Sequence, residues 1–469
     1  MTDLLDRPLA DIAMAFRDNR AKAADLIEQA IARHDAHDAA LGAYIAWSGD
    51  GARAQAAAAD AYLAAGGPPG SLFGLPVSVK DLYGARGFRT YAGTPAPLPA
   101  EWEREGPIVT AVRTQHGIVT GKTHTVEFAY GGVGANPHHP VPRNPWDAVD
   151  HRAPGGSSAG AGVSLCEGSA LIALGSDTGG SVRIPASVTG NVGLKTSTGR
   201  WSLDGIVPLC SGLDTAGILT RTVADAAYGF GAFDPAWGDA DAFLATLPVL
   251  DMSDLHLGMG DGYYWDDCAP GIAEGVQAAI DELAKAGARF SPLALPETAE
   301  ASELFRQGNR VSPELLLFIK TALPDRLETL DPNVGRRMGP AGEVTAVDYL
   351  DTLQRMARLS ASAAERMRDI DIMITPTVPH TPPKMTEVAT LEGYRSNNFG
   401  LLRNTGIANY LDQCAITMPV ALDAAGMPVG LQLTARHGQE ERLLAAALAC
   451  ERCLGTAAER IGRAPRIGG

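Results

Sequence analysis

From residue 72 onward the chain alternates short β-rich runs with helical stretches, and glycine and proline punctuate the changes. The runs are FGLPVSVKD, GPIVTAVRTQHGIVTGKT, SALIALGSDT, GNVGLKTS and AGILTRTV. Such alternation favours an α/β fold, in which helices cover the faces of a sheet. Upstream, residues 8–66 space apolar side chains at helical intervals: Leu9, Ile12, Ala13 and Phe16, then Leu26, Ile27, Ala30 and Ile31. Two or three helices are predicted there. Residues 225–370 read mainly as helices with one strand near LHLGM, and EGVQAAIDELAKAGA is amphipathic and stopped by glycine. DIDIMITPTVP then reads as a buried strand, AITMPVALD and PVGLQLTA as a strand pair, and EERLLAAALACERCL as a terminal helix.

Strands on both sides of the helical region predict one sheet visited twice. The expectation is an α/β fold: a single large domain over residues 1–469 with a mixed central β-sheet covered by α-helices. Its predicted parts are N-terminal helices (1–70), a catalytic core (71–225), a mainly helical substrate-side region (226–368), and C-terminal strands with a helix (369–469). A hydrophobic fraction of 45% with 20% charged residues supports a globular core.

The formal net charge of −15 argues against direct nucleic-acid binding and against docking on an anionic membrane. The N-terminus carries acids where a signal peptide carries basic residues, so none is expected. The longest nearly apolar run, 159–175, is broken by Glu167 and several glycines, too mixed for a membrane span. Six scattered cysteines imply no disulfide framework, and the cytoplasm is the expected location.

Several short motifs fail on context. HGIVTGKT has His116 where a phosphate loop needs its first glycine, so Lys122 is expected to end an ordinary strand. GMGDGY carries Tyr263 in place of the third glycine of a dinucleotide site. Cys450 and Cys453 lie on a predicted helix without a second pair to complete a zinc site. His34 and His37, one helical turn apart, are expected at a solvated helix end. Gly156-Ser157-Ser158-Ala159-Gly160 fits a nucleophile elbow with Ser158 as nucleophile, but no strand precedes it.

Three segments instead place small reactive groups in apolar surroundings. In GLPVSVKD, period-two alternation sets Val77 and Val79 on one face and Ser78 and Lys80 on the other. Lysine is scarce, seven against 32 arginines. A lysine at a strand end can snorkel to water. Buried, it loses its proton near neutrality and becomes a general base, which arginine cannot do. The second segment is GGSSAG. The third is GSDTGGSVRIPA, where Gly179 and Gly180 permit a tight turn whose N–H groups form an anion-binding nest, with Ser181 placed as a nucleophile.

VKD, GGSSAG and SDTGGSVRIPA in this order resemble the amidase signature family. The NP of PRNPW, the GLK of NVGLKTS, the LD of GLDTAG and the PVG of MPVGLQL extend the resemblance through most of the chain. It implies a Ser–cis-Ser–Lys triad in which Ser181 is the nucleophile, Ser157 the serine after a cis peptide, and Lys80 the base. It implies an oxyanion hole of N–H groups at Thr178, Gly179, Gly180 and Ser181, with Asp177, Arg183 and Ser158 in support. Neutral Lys80 would deprotonate Ser157, and Ser157 would deprotonate Ser181 for attack on an amide carbonyl. The same relay would protonate the leaving amine, and water would release the acyl group; no metal or cofactor is implied.

By the same resemblance THTVEFAYGG walls the substrate pocket, with Tyr130, Gly131 and Gly132 near a small-molecule amide. Trp201 is a pocket candidate and equally a core residue, and the region 301–400, including Arg306, Tyr394 and Asn398, is expected to hold specificity residues that the sequence does not rank. His124 stands where the family often has Asn, and Gly217-Ile218 where it has Gly-Pro. The alternative within the family is the glutaminase component of a tRNA-dependent glutamyl/aspartyl amidotransferase, its so-called A polypeptide, against which His124 leans. A homodimer is common among proteins of this type.

Overall fold

The computed structural model describes residues 4–467. Eleven strands form one sheet: β1 (Tyr44–Trp47), β2 (Pro76–Lys80), β3 (Ile118–Thr123), β4 (Ile172–Asp177), β5 (Val192–Lys195), β6 (Thr215–Thr220), β7 (His256–Gly260), β8 (Arg289–Leu293), β9 (Ile372–Pro376), β10 (Cys414–Leu422) and β11 (Pro428–Ala435). Their order is β1-β3-β2-β4-β6-β5-β10-β11-β9-β7-β8, so every predicted part of the chain contributes at least one strand. The sheet is mixed. β3, β2 and β4 run parallel at one side and β9, β7 and β8 at the other. An antiparallel run through β6, β5, β10 and β11 joins them.

The central strands are buried along their length, as expected where helices cover both faces. Three N-terminal helices, Leu9–Arg17, Ala23–Leu41 and Gly49–Ala64, pack where the periodicity places them. The second helix ends at Gly42 in the left-handed region, a common helix stop. Two strands escape the sequence reading. β1 has four residues, and β8 (RFSPL) carries Pro292 and is largely solvent-facing. Both are edge strands, and a proline without an N–H is tolerated there.

β2 and β4 are parallel neighbours with Val79 opposite Leu174, so their carboxyl ends lie side by side. Lys80 closes one and Asp177 the other. The carboxyl ends of parallel strands are where α/β sheets gather their reactive loops.

Candidate active site

Lys80 does not snorkel; it is fully buried. Its Nζ donates to Ser157 Oγ at 2.7 Å, to Ser176 Oγ at 2.9 Å and to Ser176 O at 3.4 Å. Burial lowers its pKa to about 7, against the opposing pull of the Asp177 and Asp214 carboxylates. On the same strand face Ser78 Oγ pairs with Ser164 Oγ at 2.9 Å, so the polar face of β2 is satisfied inside the protein.

The 153–162 segment crosses above Lys80. The Gly156–Ser157 peptide is cis. Gly155 has φ +75, and a Cβ there would stand 2.8 Å from Pro185 Cα, so no larger residue fits. Ser157 O accepts from Val126 N at 3.1 Å, and Gly156 N donates to Gly132 O at 2.7 Å, which ties the segment to the 126–132 wall. Ser158 donates through both Oγ (2.5 Å) and N (3.3 Å) to Ser181 O. Its hydroxyl is thereby committed to holding the backbone of Ser181, and no strand precedes it.

The 177–183 loop is organised by one ion pair. Arg183 Nε and Nη2 donate to the two Asp177 oxygens at 3.1 and 3.0 Å, with both side chains fully buried. Arg183 also donates to Gln432 Oε1 at 2.8 Å and Asn409 Oδ1 at 2.7 Å, and Asn409 returns a bond to Asp177 Oδ1 at 2.9 Å. Burial opposes ionisation of Asp177, but Arg183 and Lys195 outweigh it and hold the carboxyl well below its usual range. Asp177 also collects the N–H groups of Gly180 (2.8 Å) and Val182 (3.1 Å). Gly180 has φ +132, and the Thr405 hydroxyl occupies the place its Cβ would take.

Ser181 opens into a pocket lined by Ala129, Tyr130, Gly131, Thr178, Gly179, Leu209, Phe305, Gly308, Val311, Arg337 and Leu402. The wall at Tyr130 is reached through Phe128 and Ala129, both at positive φ (47 and 59) without being glycine. Such backbone is uncommon and is held by its surroundings; here Phe128 N donates to Ala92 O at 2.9 Å and Tyr130 N to Glu127 O at 3.0 Å.

A model of the family described as Amidase matches residues 25–444. The chain belongs to the Amidase family. It is 48% identical over 447 residues to a 2-amino-5-chloromuconic acid deaminase of Comamonas testosteroni, covering 95% of this chain and 96% of that protein. The A component of the glutamyl-tRNA(Gln) amidotransferase of Koribacter versatilis is 31% identical over 94% of this chain and 97% of its own length. A crystal structure of an amidase superposes with a TM-score of 0.85 at 30% identity, covering 96% of this chain and all of that one. The protein is accordingly an amide-hydrolysing enzyme.

In this amidase Lys80 and Ser157 are hydrogen-bonded to each other, and Ser181 lines the pocket with Thr178 and Gly179. Among the described residues no hydrogen bond joins Ser157 Oγ to Ser181 Oγ. Gly180 departs from its expected part: its N–H faces Asp177, leaving those of Thr178, Gly179 and Ser181 without a protein acceptor among the described residues. Gly131 lines the pocket, whereas Gly132 stands behind it and donates to Asn398 Oδ1 at 2.7 Å. Asn398 therefore braces the wall, the buried Tyr394 places its hydroxyl where a Cβ on Gly131 would stand, and Arg306 is exposed at the surface.

Trp201 is a core residue, stacked on Phe230 and donating to Asp234 Oδ2 at 3.0 Å. Lys122 stands at the end of strand β3, as expected, where it is fully buried and pairs with Asp81 at 2.9 Å. His34 is not solvated. It stacks on Trp47 at 3.8 Å and meets Glu167 Oε1 at 2.9 Å, in a cluster with Asp38. Of the pocket residues, Phe305, Gly308, Val311 and Arg337 lie within the 301–400 region but carry no motif that singles them out, and Leu209 and Leu402 lie outside every motif and region named for the pocket.

Proposed function

We propose that this amidase cleaves the C–N bond of a small carboxamide through an acyl-enzyme on Ser181, with Ser157 and Lys80 as the proton relay. The observation that carries this reading is the fully buried Lys80, whose Nζ lies 2.7 Å from Ser157 Oγ, the chain neighbour of Ser158, which bonds Ser181 O. Only the neutral amine can accept the serine proton, and its lowered pKa leaves a substantial neutral fraction at pH 7. Transfer from Ser181 to Ser157 requires the rotamers that turn the two hydroxyls together; serine has three staggered choices. The N–H groups of Thr178, Gly179 and Ser181 are the donors available to a developing oxyanion, each worth about 3–4 kcal/mol in such sites. Asp177 and Arg183 position that turn, and Ser158 holds the carbonyl of Ser181. The six free cysteines suit a reducing compartment, and we place the protein in the cytoplasm.

The relative named as a 2-amino-5-chloromuconic acid deaminase favours a small molecule that loses ammonia. The amidotransferase relatives, near 30% identity, supply the second reading, in which the chain acts within a complex. Ammonia release by the purified chain on a panel of small amides, with gel filtration of the same sample, separates the two. Activity of the isolated chain is expected; activity that appears only with partner polypeptides would favour the second reading. Ser181→Ala is expected to lower kcat at least about 10⁴-fold with unchanged circular dichroism.

A further inference from the structure

The pocket beside Ser181 is mostly apolar, and Arg337 is the one charged side chain that lines it among the described residues. The other polar groups on its walls are largely committed: Tyr130 Oη bonds Ser312 Oγ at 2.6 Å, and Thr178 Oγ1 donates to Asp214. No carboxylate lines the pocket, and none of the described carboxylates pairs with Arg337, although acids outnumber bases 54 to 39 in this chain.

The guanidinium is held in place by groups that leave its charge uncompensated. Its Cζ stacks 3.8 Å from the centroid of the Tyr130 ring, and Nη1 donates to Tyr130 O at 2.7 Å. A stacked guanidinium keeps its five N–H bonds in its own plane, so the remaining donors stay available at its edge. The helix that carries it, Pro332–Met338, is anchored to the same wall: Asp331 N donates to Glu127 Oε2 at 2.6 Å, just before the strained Phe128–Ala129 pair. Arg337 and Ser181 are thus presented to one pocket by two firmly held segments.

We infer that Arg337 is a specificity-determining residue that receives a carboxylate of the substrate, so that the substrate class is a small C–N compound bearing a free acid group. The planar fork matches a carboxylate in two parallel hydrogen bonds, and apolar walls strengthen the attraction by excluding water. This inference rests on the reading of the pocket as the substrate site.

The probes are the half-amide of a C6 dicarboxylic acid and its methyl ester, alike in length and differing in charge. Ammonia release is measured for the wild type, Arg337→Gln and Arg337→Lys. The expected result is that the wild type prefers the acid, and that Arg337→Gln cuts the acid-over-ester ratio of kcat/KM about 30-fold or more, mainly through KM. Arg337→Lys should restore part of the ratio. A ratio unchanged in Arg337→Gln, with both substrates losing equally, would assign Arg337 to propping Tyr130 alone and overturn the inference. Calorimetric binding of the free C6 dicarboxylate gives a reading independent of turnover. Binding by the wild type that Arg337→Gln loses supports the inference, and no binding by the wild type sinks it. Ser181→Ala tests only the acyl-enzyme reading, since a dicarboxylate needs no nucleophile to bind.

Discussion

Lys80 sits where an ammonium is hardest to keep. Fully buried and bonded to two serine hydroxyls, it has a pKa near 7 because desolvation outweighs Asp177 and Asp214. If its neutral form starts the reaction, log kcat/KM should rise with unit slope below pH 7 and level off above it. A profile measured from pH 5 to 9 checks this, and a flat one would remove Lys80 from the relay. Lys80→Arg keeps a cation that does not titrate in this range and should stay inactive at every pH. Much of this was legible at the level of single residues. A scarce lysine after GLPVSV and two glycine–serine runs drew attention to three segments, and their order carried the family resemblance from which Lys80, Ser157 and Ser181 are proposed as the relay. The destination of the Gly180 N–H was not, because a backbone direction depends on the Asp177–Arg183 pair and on Asn409, more than 200 positions away.

Elements differ in how openly they declare themselves. Strands such as β4 and β11 are buried along their whole length and are built largely of apolar and small residues, as burial on both faces favours. The edge strands β1 and β8 lack that pressure and passed unnoticed. The pocket wall was harder still. Phe305, Arg337 and Leu402 come from three separate helices of unremarkable sequence, brought together only by tertiary packing. The loop that offers the candidate oxyanion donors depends on its ion pair as an element. Arg183→Leu would strand a buried carboxylate, a change that typically costs about 3–5 kcal/mol. Urea unfolding should show a loss of that order, together with loss of hydrolysis; an unchanged midpoint would contradict the bracing role.

Across the whole molecule, burial raises several carboxyls: Glu127 to about 8, Glu451 to about 7 and Asp214 to about 6. A carboxyl whose folded pKa exceeds its unfolded value favours the fold most when protonated. These groups therefore contribute most below about pH 4, and the contribution drains away as pH rises through 6 to 8. Glu127→Gln keeps an oxygen for Asp331 N yet cannot ionise. Its Tm should exceed that of the wild type at pH 8.5 and converge toward it at pH 4.5. A constant offset across that range would mean that Glu127 does not titrate as the structure requires.

Three of the seven lysines, Lys80, Lys122 and Lys195, are fully buried, and the other four, Lys22, Lys285, Lys320 and Lys384, reach the surface. Amine-directed chemistry therefore sorts them by access. Dyes, crosslinkers or a solid support coupled through primary amines should find the outer four and leave Lys80 unmodified. The molecule can be tethered through its lysines while the amine beneath Ser157 stays intact.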